Sequence, residues 1–170
     1  MKNWVILLVI LVCSHCVPGK QMGFNGDFNK KCYQNAFIYI TEAMGTDEIY
    51  TVDSLVYIEK NAFDHYLKLS NESYSEAVDR LINLDELHQS DPAVYCKALR
   101  TLKKIKKPKY YLFFSKQEDG ILFAEILGIK STENYAFRYC KGFNNGKRFM
   151  FVFDQNEKIA GVHTLEISYD

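Results

Sequence analysis

Two titratable side chains stand alone on otherwise apolar faces of segments that read as β-strands. In the run 121–130, Ile121, Phe123, Glu125, Leu127 and Ile129 fall on one side, because side chains alternate along a strand. In the run 158–168, Ile159, Gly161, His163, Leu165 and Ile167 share a face by the same rule. If the sheet curls around a cavity, burial would raise the pKa of the acid and lower that of the base, bringing both toward values useful for proton transfer. That makes Glu125 and His163 candidate catalytic residues for acid-base chemistry. The competing reading pairs Glu125 with a nearby cation such as Arg138 and makes His163 a satisfied core histidine or an outward-facing one. Other catalytic arrangements are missing: the chain has no G-x-S-x-G, no H-E-x-x-H and no phosphate-cradling glycine loop.

Three further groups could bind rather than react. Phe149, Phe151 and Phe153 share one strand face, and Phe137 and Tyr139 share another with Tyr135. With His163 they are candidates to line a pocket for an apolar ligand, although aromatic residues also favour ordinary core and cross-strand pairs. Lys103, Lys104, Lys106 and Lys107 form a basic run similar in shape to sulfated-glycan-binding clusters. Lysines at a helix C-terminus also simply complement the macrodipole. Asn71-Glu72-Ser73 is a glycosylation sequon at what reads as an exposed helix entry.

The N-terminus sets the compartment in which these groups would act. Met1-Lys2-Asn3 carries one positive charge, Trp4 to Val12 is an uninterrupted apolar run, and Val17-Pro18-Gly19 offers small residues for cleavage. Residues 1–19 therefore read as a secretory signal peptide, too short to span a bilayer. No later stretch is apolar enough for stable membrane insertion. The whole chain balances 21 basic against 21 acidic residues, and losing the leader removes only Lys2, which argues against nucleic acid as a partner. Cys13 and Cys16 belong to the leader, leaving Cys32, Cys96 and Cys140 as disulfide candidates. In an oxidising compartment three cysteines imply one bridge and one odd thiol, or a bridge to another chain, and spacing leaves all three pairings open. The same spacings, without a nearby His, argue against a zinc site, and neither a metal nor a cofactor is expected.

These residues need elements to hold them. After a polar lead at 20–27, apolar residues from Phe28 to Met44 recur at helical spacing and Gly45 supplies a stop. Thr51 and Asp53 precede a second stripe of Leu55, Ile58, Ala62, Phe63, Tyr66 and Leu67. Ser73-Tyr74-Ser75-Glu76 is a capping box opening a third helix along Ala77, Val78, Leu81, Ile82 and Leu84. Pro92 opens a fourth, whose buried side is Val94, Tyr95, Ala98, Leu99, Leu102 and Ile105. Five strands follow, at 109–116, 121–130, 135–141, 148–154 and 158–168, joined by turns too short for parallel crossovers. Helices first and a meander afterwards predict an α+β domain over 28–168, with the helices on one face of the sheet.

Residues 148–165, RFMFVFDQNEKIAGVHTL, comprise an aromatic strand ending in Asp, a polar turn, and Lys-Ile opening the final strand. This segment resembles the last hairpin of the NTF2-like superfamily, also called SnoaL- or ketosteroid-isomerase-like. Residues 61–84 are similar to that family's approach to its third helix. The resemblance implies a cone in which N-terminal helices pack on a curved antiparallel meander around a pocket. It also implies a small-molecule isomerase or hydratase as the enzyme that would use Glu125 and His163. A helix at 92–107 would be one more than the family shows, and a cystatin-like domain is the alternative. A pocket does not name its occupant. The chain thus reads as a secreted, non-catalytic binding protein for a small apolar ligand or an extracellular protein or glycan.

Overall fold

The computed structural model describes residues 29–102, 105, 107–129, 140–141 and 144–169. Helix α1, Lys30–Met44, buries Cys32, Tyr33, Ala36 and Ile40 along one stripe. It ends as its sequence predicts: Gly45 adopts φ 61°, a left-handed conformation that glycine enters without steric cost, and its N–H bonds the Glu42 carbonyl at 3.1 Å. Helix α3, Tyr74–His88, begins at the predicted capping box. The Ser73 hydroxyl accepts from the Glu76 N–H at 3.3 Å, and the Glu76 carboxylate accepts from the Ser73 N–H at 2.8 Å.

Between these helices the fold departs from expectation. Strand β1, Ile49–Leu55, ends where a helix is predicted from Leu55 to Leu67; residues 56–60 are irregular, and only a 3-10 turn at Asn61–Phe63 and the short helix α2, Asp64–Leu67, are helical. Ile49, Tyr50, Thr51 and Val52 are strand formers, and a parallel partner satisfies their backbone. The predicted fourth helix is likewise replaced. Val94–Tyr95 forms strand β2 on the edge beside β1, and Lys97–Thr101 is a 3-10 turn. Cys96 N–H extends that pairing to the Asp53 carbonyl at 2.7 Å, so the chain takes sheet bonds where a helix would have needed its own.

The remaining strands are β3 (Tyr110–Phe114), β4 (Ile121–Gly128), β5 (Asn145–Phe153) and β6 (Ile159–Ser168), and the six lie in the order β2-β1-β3-β4-β5-β6. Neighbours are antiparallel except β1 and β3, whose parallel pairing is reached by the crossover through α2 and α3. Of the strand predicted at 135–141, residues 135–139 lie outside the described residues, while Cys140 and Lys141 are helical. Strands β4 and β5 pair with each other directly, which leaves no place for a strand between them.

The result is an α+β fold with a mostly antiparallel, open sheet, but the helices do not share one face. Tyr33 of α1 packs edge-on against Phe114, with ring centroids 5.3 Å apart, in a core that includes Leu112, Leu122 and Phe151. Phe63 packs against Phe123 at 5.6 Å on the opposite side, with Tyr111, Phe113 and Met150. Residues 110–114 are apolar throughout because both sides of β3 are covered. Each phenylalanine buried there stabilises the fold by roughly 1.5–3 kcal/mol relative to exposure.

A β-bulge in β6 changes which residues share a face. Val152 pairs with Gly161 but Phe153 pairs with Ile159, leaving Ala160 as an extra residue. Ile159 therefore packs on the α1 side, whereas Leu165 and Ile167 pack on the other.

Candidate functional site

A cleft of about 590 Å³ lies between α3 and the sheet face opposite α1. Val56, Ile58, Leu67, Leu81, Leu84 and Phe123 supply much of its apolar wall, and Lys60, Lys116 and Glu118 belong to its polar lining. Its size is that of pockets that take drug-sized molecules. Tyr74–His88 supplies the wall because Leu81, Leu84 and His88 lie on one side of the helix, three and four residues apart.

The facing segment, residues 56–60, is irregular, and one carboxylate of α3 bonds it and the adjoining Asn61. Asp85 is buried on the inner stripe of α3. Its Oδ1 accepts from the Tyr57 hydroxyl at 2.6 Å and the Lys60 N–H at 2.8 Å, and its Oδ2 accepts from the Asn61 N–H at 2.9 Å. Burial and the adjacent Asp85 raise the Tyr57 pKa, so its hydroxyl remains a donor. The Lys60 ammonium stands 5.7 Å from the Tyr57 ring centre, 5.9 Å from that of Phe123 and 3.5 Å from Glu118. It brings a cation over two aromatic faces within the cleft lining. Arg80 ties the far side together, donating to both Glu72 oxygens at 2.7 and 3.0 Å and to the Leu67 carbonyl at 2.9 Å.

A second constellation, on the same sheet face, is a buried ionic network. Glu125 on β4 lies directly opposite Arg148 on β5, and Arg148 Nε donates to its Oε2 at 2.8 Å. The Tyr169 hydroxyl donates to the other Glu125 oxygen at 2.7 Å and accepts from Arg148 at 2.7 Å. Arg148 also reaches the Glu59 carbonyl at 3.0 Å and its carboxylate at 3.3 Å, while Lys141 bonds the other Glu59 oxygen at 3.0 Å. Two carboxylates thus face two cations, as burial of charge requires. Burial opposes the charge on Arg148, but Glu125, Tyr169 and Glu59 more than offset this and hold its pKa above the usual value. Burial and the Glu125 charge push Tyr169 upward, so it stays a donor.

Glu59 gives this network a pH signature. Burial by itself would raise its pKa, but Lys141 and Arg148 outweigh it and hold the carboxyl below its ordinary range. The folded state therefore binds this proton less readily than the unfolded chain. The Glu59 contribution is fully present above the unfolded value of about 4.3 and is lost as pH falls through the lower folded one. An acid titration followed by circular dichroism should show a shallower loss of stability in Glu59→Gln than in the parent over that window. Identical acid limbs would exclude this role.

These distances place the sequence-predicted residues. Glu125 and His163 do lie on one face of the sheet, but β5 separates their strands: Glu125 sits opposite Arg148, and His163 opposite Met150. The cation beside Glu125 is Arg148; Arg138 lies outside the described residues. His163 stacks on Tyr66 with centroids 3.6 Å apart. Neither residue lines the cleft. Phe149, Phe151 and Phe153 stack in the core beneath α1, on the other face from His163, and so do not form one pocket with it. Phe137, Tyr139, Lys103, Lys104 and Lys106 lie outside the described residues, and Lys107 is exposed.

Cys32, Cys96 and Cys140 form no disulfide with one another in the structure, in place of the expected bridge among them. Cys32 and Cys96 lie on the α1 side of the sheet and Cys140 on the other, so the sheet stands between Cys140 and both candidate partners. Burial raises all three thiol pKa values, that of Cys140 to about 11, which leaves them poor nucleophiles. Among the described residues no group of three or more His, Cys, Asp or Glu could hold a metal ion.

Sequence reasoning missed Asp85, Tyr57 and Lys60. For Asp85 a signal existed: it falls four residues after Leu81 and eight after Ala77, a carboxylate on an apolar stripe. With this geometry in view, the chain matches no protein-family model, no curated protein and no solved structure.

Proposed function

We propose that the chain is a secreted binding protein, without catalysis of its own, that holds a small apolar ligand in the cleft between α3 and the sheet. The observation that carries this reading is the cleft itself: a half-open, largely apolar space of about 590 Å³ whose irregular wall is tied to α3 by the three bonds to Asp85. Pre-formed walls reduce the ordering cost of binding, which is where small-ligand affinity is most often lost. Lys60, Arg80 and Lys116 add cations to this lining. Secretion is supported by the leader-like residues 1–19. Kinship with the NTF2-like superfamily is supported by the hairpin at 148–165 and by a helix preceding the sheet, while helices on both faces weigh against a one-sided cone.

The test uses native mass spectrometry of the secreted protein together with titration of the fluorescent probe 1-anilinonaphthalene-8-sulfonate. A co-purifying mass lost on denaturation, or saturable 1:1 probe binding, is expected. Leu84→Trp, which fills the cleft from α3, should weaken probe binding at least about tenfold, or 1.4 kcal/mol. Probe binding that Leu84→Trp leaves unchanged would place the ligand elsewhere and sink the cleft reading.

A further inference from the structure

The loop between α2 and α3 carries a different kind of site. Asn71 is exposed in a turn closed by the Glu72 N–H on the Leu69 carbonyl at 3.1 Å, and its own amide makes no hydrogen bond. On either side of it in the chain are Tyr66, Leu69 and Tyr74, at 52%, 59% and 58% exposure. Large apolar side chains exposed on a surface mark an interaction site or a liability when they lie together. Here both rings are also held in place. His163 stacks on Tyr66 at 3.6 Å, and the Tyr74 hydroxyl donates to Asp64 on α2 at 2.9 Å. Fixed rings with polar edges suit the faces of sugar rings, which present C–H groups flanked by hydroxyls.

We infer that Asn71 bears an N-linked glycan whose first sugars lie over Tyr66, Leu69 and Tyr74 and cover this patch. The inference rests on entry into the secretory pathway, as in the proposed function, but not on the cleft. Two independent features converge on it: the sequon Asn71-Glu72-Ser73 and the preset apolar surface on either side of it. The donor is a lipid-diphosphate-linked oligosaccharide. Its anomeric C–O bond breaks as the bond from Asn71 Nδ2 to that carbon forms. The lipid diphosphate leaves, and one amide proton passes to a base. Ser73 serves the sequon before folding; in the folded protein its hydroxyl caps α3.

Expression in a mammalian cell line separates the parts. With its own leader, the chain should appear in the medium, and peptide N-glycosidase should remove one glycan and leave aspartate at position 71. Ser73→Thr should keep both glycan and cap. Ser73→Asp should lose the glycan while retaining a good cap, so that folding does not confound the result. Retention in the cells with the native leader would overturn the secretory reading. An unmodified Asn71 behind a proven leader would overturn the glycan itself. For the covering role, sugar protons of the first residue should show ring-current shifts by NMR that vanish in Tyr66→Ser/Tyr74→Ser. A glycan with identical shifts in parent and variant is a glycan that does not lie on the patch.

Discussion

Replacing Arg148 with methionine is expected to cost about 3–5 kcal/mol of folding stability, because it leaves a buried carboxylate without its cation. Glu125 is fully buried and Arg148 is 2% exposed, so water cannot take over the lost bond. The same change strips donors from Glu59 and Tyr169. Domains of this size are stable by only about 5–15 kcal/mol, so the loss should appear as a large fall in urea midpoint with an unchanged slope. The paired replacement Glu125→Leu/Arg148→Met removes both charges and leaves Glu59 with Lys141 at 3.0 Å. It should therefore cost less than Arg148→Met alone, since breaking one half of a buried pair is worse than replacing both. A double variant as unstable as the sum of the two single ones would show that the network acts through packing rather than charge.

That network shows where sequence reading reached and where it stopped. The phase of Glu125 was legible: Ile121, Phe123, Leu127 and Ile129 do share its face of the sheet. Its partner was not, because register across β4 and β5 depends on the chain between them, and residue spacing alone does not say that 125 meets 148. The capping box at Ser73 and the stop at Gly45 were legible because they are local chemistry, complete within a few residues. Strand β1 was hidden by Leu55, Ile58, Phe63 and Leu67, whose spacing mimics a helix although their packing belongs to a strand end, an irregular wall and a short helical stretch. Pro92 and the stripe after it imitated a helix in the same way, until Val94 and Tyr95 found an edge to pair with. Sidedness failed for a related reason. The run Tyr110–Phe114 is apolar at every position and carries no inside-outside signal. A one-sided sheet could not be distinguished from one covered on both faces.

The cleft makes the second large prediction. Asp85→Ala should cost about 3 kcal/mol, because Tyr57, Lys60 and Asn61 lose one shared charged acceptor at once. It should also lower affinity for the cleft probe more than Leu84→Ala does, although Asp85 is absent from the cleft lining. The physical reason is that Asp85 acts on the wall: without it, Tyr57, Lys60 and Asn61 lose their tie to α3, and that part of the wall must be ordered by the ligand rather than before it arrives. Asp85→Asn provides the control on charge and shape. It keeps the size and one acceptor oxygen, but turns an N–H₂ group toward a backbone donor, so it should recover only part of both losses. Tyr57→Phe removes one bond of the three and should cost about 1 kcal/mol. If stability falls through this series while probe affinity does not, Asp85 is a fold residue only and the wall is held by its apolar contacts. If the two fall together, the carboxylate that fastens α3 to the irregular wall is also the one that keeps the cleft in shape.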